Sequence, residues 1–312
     1  MSASILARQE NDQFQLTITL LESQIKQTYD KLVQQTAKDI EIPGFRKGKA
    51  PLNKVIEHIN LDKIYEQIIQ QLVPQAYINA IKEHQLNPII EPQIELVNQD
   101  ININQDWQIR ITSAEKPEIK LGDYQTRLKG LLKTTNIWTP GSDSSGQSQK
   151  GEKEHLLKNN LKSPAPEETT PDDLKSQQAQ KITDWLLQNI KVEPAPILIE
   201  QHTHQLLAQL LEQIQKLGLT LDQYLTSTNK KTEDLKAEYA RKARQNLRFE
   251  FIILAIGENE KIKVENQEID TLINQSQDEK IKTALQKPEQ KTQLYNIIFR
   301  QKVFDYLYRL AS

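Results

Sequence analysis

The chain has 312 residues but no cysteine, and only 9 of its residues are glycine. Without thiols it can form neither a disulfide framework nor a cysteine nucleophile, which suits a reducing cytoplasm. The first ten residues lack the charged and apolar regions of a secretory signal, and no window approaches the roughly 20 apolar residues that cross a membrane. We therefore expect a cytoplasmic protein that has no membrane partner.

Apolar and aromatic residues are also few, at 37% and 6% of the sequence, and the mean hydropathy is -0.65. A chain of this length ordinarily forms two domains. Because thin bodies bury less surface per residue than large compact ones, the low apolar content favours an elongated, helix-rich architecture. The formal net charge of -2 argues against a protein that coats nucleic acid, which would be basic overall.

Positive charge is instead concentrated locally in residues 42–51, which read Ile-Pro-Gly-Phe-Arg-Lys-Gly-Lys-Ala-Pro. Glycine adopts positive φ at little cost, and proline cannot continue a preceding helix or strand. The two glycines and two prolines therefore predict a bounded loop tip. The tip presents the cations Arg46, Lys47 and Lys49 around the ring of Phe45, and we predict that it docks onto an anionic surface.

The strength of that docking can be bounded. With three phosphate contacts the affinity falls as the salt concentration rises, and log affinity changes by roughly 2 to 3 for each tenfold change in salt. Burial of Phe45 adds about 1.5 to 3 kcal/mol to the binding free energy. Since a micromolar contact needs about 8 kcal/mol, neighbouring surface must supply the remainder. The competing interpretation is a solvated turn without a partner. A nucleotide-binding loop is excluded, because three residues rather than four separate the glycines and Ala50 follows Lys49.

The first 115 residues show the patterns of an α+β unit, with strands, then helices, then strands. The predicted strands are 4–8, 13–20, 94–97 and 107–114, and the predicted helices are 22–40, 61–84 and one that begins at residue 52. Pro74 predicts a kink in the 61–84 helix. Eight apolar side chains of that helix are expected to face inward, namely Ile64, Tyr65, Ile68, Ile69, Leu72, Tyr77, Ile78 and Ile81.

Residues 134–172 are rich in Gly, Pro, Ser, Gln and Lys, and their few large apolar side chains cannot offset the entropy of ordering a packed fold. We predict a disordered linker that acts as a tether, with a role for Ile137 and Trp138 in binding apolar chains as the alternative. We predict that the sequence beyond the linker is all helical. The first of these helices begins at Pro171, and a short piece is predicted at 220–226. The other predicted helices are 197–217, 233–258, 267–275, 278–285 and 289–310.

Leucine-rich stripes on these helices can leave apolar surface exposed, and such surface binds other apolar chains. Most of these leucines are nevertheless expected in the core. The histidines offer no catalytic or metal site, since His202 and His204 lie two residues apart, whereas a zinc pair needs a spacing of four with a glutamate. We expect no catalytic residues, no metal and no cofactor, and no ATP site is evident. All five histidines are expected at the surface: His58, His84, His155, His202 and His204.

The loop resembles the signature Gly-Phe-Arg-x-Gly-Lys-x-Pro of trigger factor, the bacterial ribosome-associated chaperone. Six residues stand at the matching positions, namely Gly44, Phe45, Arg46, Gly48, Lys49 and Pro51. The segments 116–124, 218–225 and 254–262 also resemble this family. The resemblance implies a ribosome-binding domain over 1–115, a connector over 116–133 and a helical chaperone domain over 173–312. The isomerase domain of the family is not found, and the linker 134–172 stands in its place.

The resemblance also implies a function, that of an ATP-independent chaperone in protein folding and transport. Its partners would be the ribosome, through the exit-tunnel protein and adjacent rRNA, and nascent or unfolded polypeptides, with a weak homodimer as a further state. The ribosome-binding residues would be Gly44, Phe45, Arg46, Lys47, Gly48, Lys49 and Pro51. Three alternatives stay open: a prolyl isomerase by family label, a holdase that does not bind ribosomes, and an RNA-binding module.

Overall fold

The computed structural model describes residues 3–98, 101–132, 171–275 and 279–312. An α+β N-terminal part is followed by an all-helical C-terminal part, as predicted. The elements, in chain order, are β1 (Ala3–Arg8), β2 (Gln13–Leu20), α1 (Glu22–Asp39), α2 (Leu52–His58), α3 (Leu61–His84), β3 (Gln93–Leu96), β4 (Trp107–Ala114), α4 (Tyr124–Leu128), α5 (Pro171–Asn189), α6 (Pro196–Lys216), α7 (Leu221–Thr228), α8 (Thr232–Asn259), α9 (Asn266–Gln275), α10 (Glu279–Leu285) and α11 (Pro288–Ala311).

Contacts divide the chain into two compact units. The first consists of Met1–Glu118 with Glu193–Arg248, and the second of Ile119–Val192 with Phe249–Ser312. The residue bounds of these two units differ from those of the domains predicted from the sequence. The predicted domains stay predictions, because the units reflect only which residues contact each other. The predicted linker lies outside the described residues, except for Pro171 and Asp172, which begin α5.

The first unit contains a four-stranded antiparallel sheet in the order β1-β2-β4-β3. Opposite residues of antiparallel strands share a face, and Leu16 of β2 pairs with Leu6 and with Ile111. This face packs against α1 and α3. Its central side chains are almost fully buried: Phe14, Leu16, Ile18, Leu20, Trp107, Ile109 and Ile111.

Helices α1 and α3 cover that face. Tyr65 of α3 meets Trp107 edge to face, with 5.6 Å between ring centroids. Asn60 caps α3 by accepting a hydrogen bond from the backbone N–H of Lys63 at 3.3 Å, and Gln85 ends it in the left-handed region. The prediction that Ile78 faces inward is wrong, because the 3.6-residue period turns Ala76 and Ala80 inward and leaves Ile78 exposed.

The second unit contains a short helix that the sequence patterns did not indicate. Helix α4 lies in the predicted connector and is capped by the Asp123 side chain. Its Tyr124 hydroxyl donates to Glu260 Oε1 at 2.7 Å, and Gln125 Nε2 donates to the same oxygen at 2.8 Å. Gln125 also donates to the hydroxyl of Tyr306 at 3.0 Å. One carboxylate therefore ties α4 to the end of α8, while Gln125 reaches α11.

Burial raises the pKa of Tyr124, and the hydrogen bond from Tyr124 is the main cause that lowers the pKa of Glu260. A carboxylate whose folded-state pKa is depressed contributes stability above its unfolded pKa of about 4.3, and that stability is lost as the pH falls through the folded pKa. We expect Tyr124→Phe to lower the free energy of unfolding by about 1 to 2 kcal/mol at pH 7. The deficit should shrink below pH of about 4.

Urea denaturation of both proteins over this pH range measures that difference. Tyr295→Phe, which removes a hydroxyl from an exposed tyrosine, is the matched control and should leave the unfolding free energy unchanged. A deficit of equal size at every pH would mean that Tyr124 stabilises the fold by packing and not through ionised Glu260.

Gly257 marks a close crossing of α8 and α11. A Cβ built at this position would lie 2.1 Å from Cζ of Phe299, far closer than atoms can approach. In an exposed helix Gly→Ala stabilises by about 1 kcal/mol. Here we expect the opposite sign, a loss of about 1 to 3 kcal/mol from overpacking. The second change Phe299→Leu should recover part of that loss, and thermal melting of the two single variants and the double variant tests the coupling.

Candidate functional site: an exposed basic loop and two apolar surfaces

Residues 40–51 join α1 to α2, and their first turn begins at Ile42. The backbone N–H of Phe45 donates to the carbonyl oxygen of Ile42 at 3.0 Å. Pro43 and Gly44 occupy the central positions, and Gly44 has φ of 85°, as a type II turn requires of its third residue. Ile42 is buried. The turn therefore starts from an anchored side chain and lifts Phe45 away from the protein.

A second turn follows directly. The backbone N–H of Lys49 donates to the carbonyl oxygen of Arg46 at 2.9 Å, and Gly48 has φ of 73° at the third position. A Cβ at Gly48 would lie 3.3 Å from the backbone oxygen of Lys38. The loop thus folds back against the last turn of α1, and Gly48 serves both the turn and this close approach.

The loop presents its predicted binding groups to solvent. Phe45 is 43% exposed, and Arg46, Lys47 and Lys49 are all exposed. Within the described parts of the chain, none of the three cations has an ion pair or a side-chain hydrogen bond. Pro51 ends the loop as the N-cap residue of α2. The structure therefore brings three unpaired cations and one ring together on a turn-stabilised tip.

A second exposed surface lies on α6 and the turn after it. Leu210, Ile214 and Leu235 form a small buried cluster between α6 and α8. Three neighbouring leucines remain outside this cluster: Leu211 is 39% exposed, Leu217 75% and Leu219 42%. The leucine stripe on the sequence could not distinguish these two groups, since only the packing partner decides which side of a wide stripe is covered.

The first unit also contains a cavity of about 340 Å³ between the start of α6 and the first half of α8. Its apolar wall includes Pro194, Ile199 and Ala240. At its edge Arg244 Nε lies 3.2 Å from a carboxylate oxygen of Glu193. No sequence pattern indicated this cavity, because its wall comes from two helices separated by a turn and a further helix.

Three of the described histidines, His58, His84 and His202, make ordinary polar contacts. His58 Nδ1 lies 2.9 Å from the carbonyl oxygen of Lys54, and His84 Nε2 lies 3.0 Å from Ser4 Oγ. His155, like Ile137 and Trp138, lies outside the described residues. Across 3–98, 101–132, 171–275 and 279–312, no group of three or more His, Cys, Asp or Glu side chains could hold a metal ion, and no helix in these ranges has the length and apolar character to cross a membrane.

Two family models match the chain. The model described as bacterial trigger factor protein (TF) matches residues 1–132, and the model described as its C-terminus matches residues 155–309. A solved structure from work on promiscuous substrate recognition in folding and assembly activities of the trigger factor chaperone aligns with a TM-score of 0.61 over 99% of this chain and 100% of that chain, at 14% identity. At this identity the likeness concerns the fold.

Curated relatives carry the same name. The trigger factor of Levilactobacillus brevis is 30% identical over 153 residues, which are 48% of this chain and 34% of that protein. The trigger factor of Streptococcus suis is 33% identical over 137 residues, 44% of this chain and 31% of the relative. The trigger factor of Streptococcus pneumoniae is 34% identical over 110 residues, which are 35% of this chain and 25% of that protein. The aligned part therefore spans about a third or less of these relatives' length.

Proposed function

Because the chain belongs to the trigger factor family, we propose that it is an ATP-independent chaperone that docks on the ribosome near the exit tunnel and shields nascent or unfolded polypeptides. The observation that carries this proposal is the loop, whose cations are unpaired within the described residues and surround an exposed ring. A partner surface that is both anionic and apolar would bind the cations through its charge and bury the ring of Phe45, so every exposed group of the loop would contribute to the affinity.

We assign the docking to Gly44, Phe45, Arg46, Lys47, Gly48, Lys49 and Pro51. In this proposal the cations bind phosphates of rRNA at the tunnel exit, and Phe45 is buried against the adjacent ribosomal protein. Each phosphate contact releases counterions, so the affinity should fall steeply with salt. The glycines contribute by holding the two turns that present the cations and the ring.

Client shielding is assigned to the exposed leucines of the first unit, Leu211, Leu217 and Leu219. Apolar surface of this kind binds unfolded chains weakly at each point and reversibly, and several points add by multivalency. Release then requires no nucleotide. We propose that a second copy of the chain covers the same surface at high concentration, in a weak homodimer. Because the proposed function is performed on ribosomes, we propose that the protein acts in the cytoplasm.

Isomerase activity is not part of the proposal. The first family match ends at residue 132 and the second begins at residue 155. The stretch between the two matches is far shorter than the roughly 50 residues of the smallest ordinary domains. A prolyl-peptide isomerisation assay that showed protein-dependent acceleration would contradict this part of the proposal.

The loop assignment predicts the behaviour of a triple variant, Phe45→Ala/Arg46→Ala/Lys47→Ala. We expect it to lose co-sedimentation with purified 70S ribosomes, while its melting temperature stays nearly unchanged, because exposed side chains contribute little to folding. For the unaltered protein the slope of log affinity against log salt should be roughly -2 to -3.

The matched control is Lys82→Ala/Arg241→Ala, which removes one lysine and one arginine from exposed positions outside the loop. It should pellet with ribosomes as the unaltered protein does. If the triple variant still co-sediments, the loop is not the docking site. If no form of the protein associates, the chain is a holdase that works away from the ribosome.

A second prediction concerns the clients. Leu211→Gln/Leu217→Gln/Leu219→Gln removes three exposed apolar side chains, so we expect several-fold more protein to be needed to suppress aggregation of a guanidinium-denatured test enzyme. Ribosome binding should be unaffected. Ile5→Gln/Ile89→Gln/Ile94→Gln changes three exposed isoleucines of the α+β N-terminal part and is the control. Equal loss of suppression in both variants would mean that general hydrophobicity, and not this surface, holds clients.

A further inference from the structure

A polar groove of about 330 Å³ lies between α1 and α3. Four of its lining residues are glutamines, Gln35 on α1 and Gln67, Gln70 and Gln71 on α3, and Leu32 also lines it. The glutamines are exposed, while Leu32 is buried. The groove therefore has an apolar contact at its base and amide groups along its walls.

The helix period explains how these residues meet. Residues three and four apart lie on the same face of a helix, so Leu32, Gln35 and Asp39 share one face of α1. Gln67, Gln70 and Gln71 share the facing side of α3 by the same spacing. Glutamine is abundant throughout this chain, and what distinguishes these four is that two packed helices hold them around one groove.

The groove adjoins the basic loop. Asp39 lines it and is the last residue of α1. Gly48 of the loop packs against the neighbouring Lys38. A Cβ atom added at Gly48 would lie 3.3 Å from the backbone oxygen of Lys38. The loop and the groove therefore both meet the C-terminal end of α1.

The chemistry of the lining selects the class of ligand. A glutamine amide both donates and accepts hydrogen bonds, which matches the N–H and C=O groups of an extended polypeptide backbone. Phosphate backbones are instead bound mainly by lysine and arginine. The lining contains neither, and its one formal charge is the carboxylate of Asp39. The groove is therefore suited to a polypeptide that carries a basic side chain and poorly suited to RNA.

We propose that this groove binds an extended polypeptide segment of the same ribosomal partner that the loop contacts, with its backbone on the glutamine amides and a basic side chain on Asp39. The inference rests on the proposed docking function and deepens it. The loop supplies charge and one ring, and the groove supplies the neutral hydrogen bonds that the loop lacks.

The test uses the 312-residue chain and purified 70S ribosomes, with Gln67→Ala/Gln71→Ala as the variant. Alanine favours the helix, so the fold is retained. We expect the dissociation constant to rise roughly tenfold, as the loss of two neutral hydrogen bonds allows. The slope of log affinity against log salt should not change, because no phosphate contact is lost. The loop variant Arg46→Ala/Lys47→Ala should instead reduce that slope by about 2.

Gln34→Ala/Gln75→Ala is the matched control, since it removes two exposed glutamines from the same two helices outside the groove. It should bind ribosomes as tightly as the unaltered protein. If the groove variant and this control both bind with unaltered affinity while Arg46→Ala/Lys47→Ala weakens binding and reduces the salt slope, the groove proposal is wrong and the docking function stands. If the unaltered protein does not bind, both are wrong.

Asp39→Lys distinguishes a polypeptide from RNA. With a basic polypeptide segment in the groove, the added positive charge weakens binding several-fold, whereas with an RNA strand there it strengthens binding and steepens the salt dependence. A photo-crosslinking residue at Gln70 provides an independent measurement on the same ribosomes. We expect a product that resists ribonuclease and contains a ribosomal protein, and a crosslink to rRNA would overturn the proposal.

Discussion

The packing of α1 and α3 on one face of the antiparallel sheet is the constraint on which the candidate docking surface depends. Burial of Phe14, Leu16 and Trp107 holds the two helices in place, and burial of a large apolar side chain contributes about 1.5 to 3 kcal/mol. The loop itself has no core of its own. Its position is set by the end of α1, against which Gly48 packs, and by the start of α2.

This arrangement separates stability from recognition. The residues that stabilise the first unit are buried on the sheet and its covering helices, whereas the cations and Phe45 extend from a turn that contributes little to folding. The groove lined by Gln67 and Gln71 lies between these two regions, since its base touches the core and its walls face solvent. The net charge of -2 argues against a protein that coats nucleic acid but does not reveal the local cluster of cations on the loop.

The fold elements were largely predictable because their signals are local. Alternation over 13–20 and helical spacing over 61–84 depend on neighbouring residues alone, and both segments form at the predicted bounds. Helix α4 was missed, because its five residues carry too short a pattern and are held by Tyr124 contacting Glu260, distant in sequence. The inward assignment of Ile78 was wrong, because a wide apolar stripe does not say which residues meet a partner.

The sequence by itself determined the order of strands and helices and the chemistry of the loop, since glycine, proline and cationic side chains have those properties in any context. Tertiary structure alone decided which apolar residues remain exposed, such as Leu217, and which polar residues gather, such as the glutamines between α1 and α3. The physical reason is that exposure and juxtaposition depend on partners far along the chain. Local patterns carry no information about those partners until the helices pack.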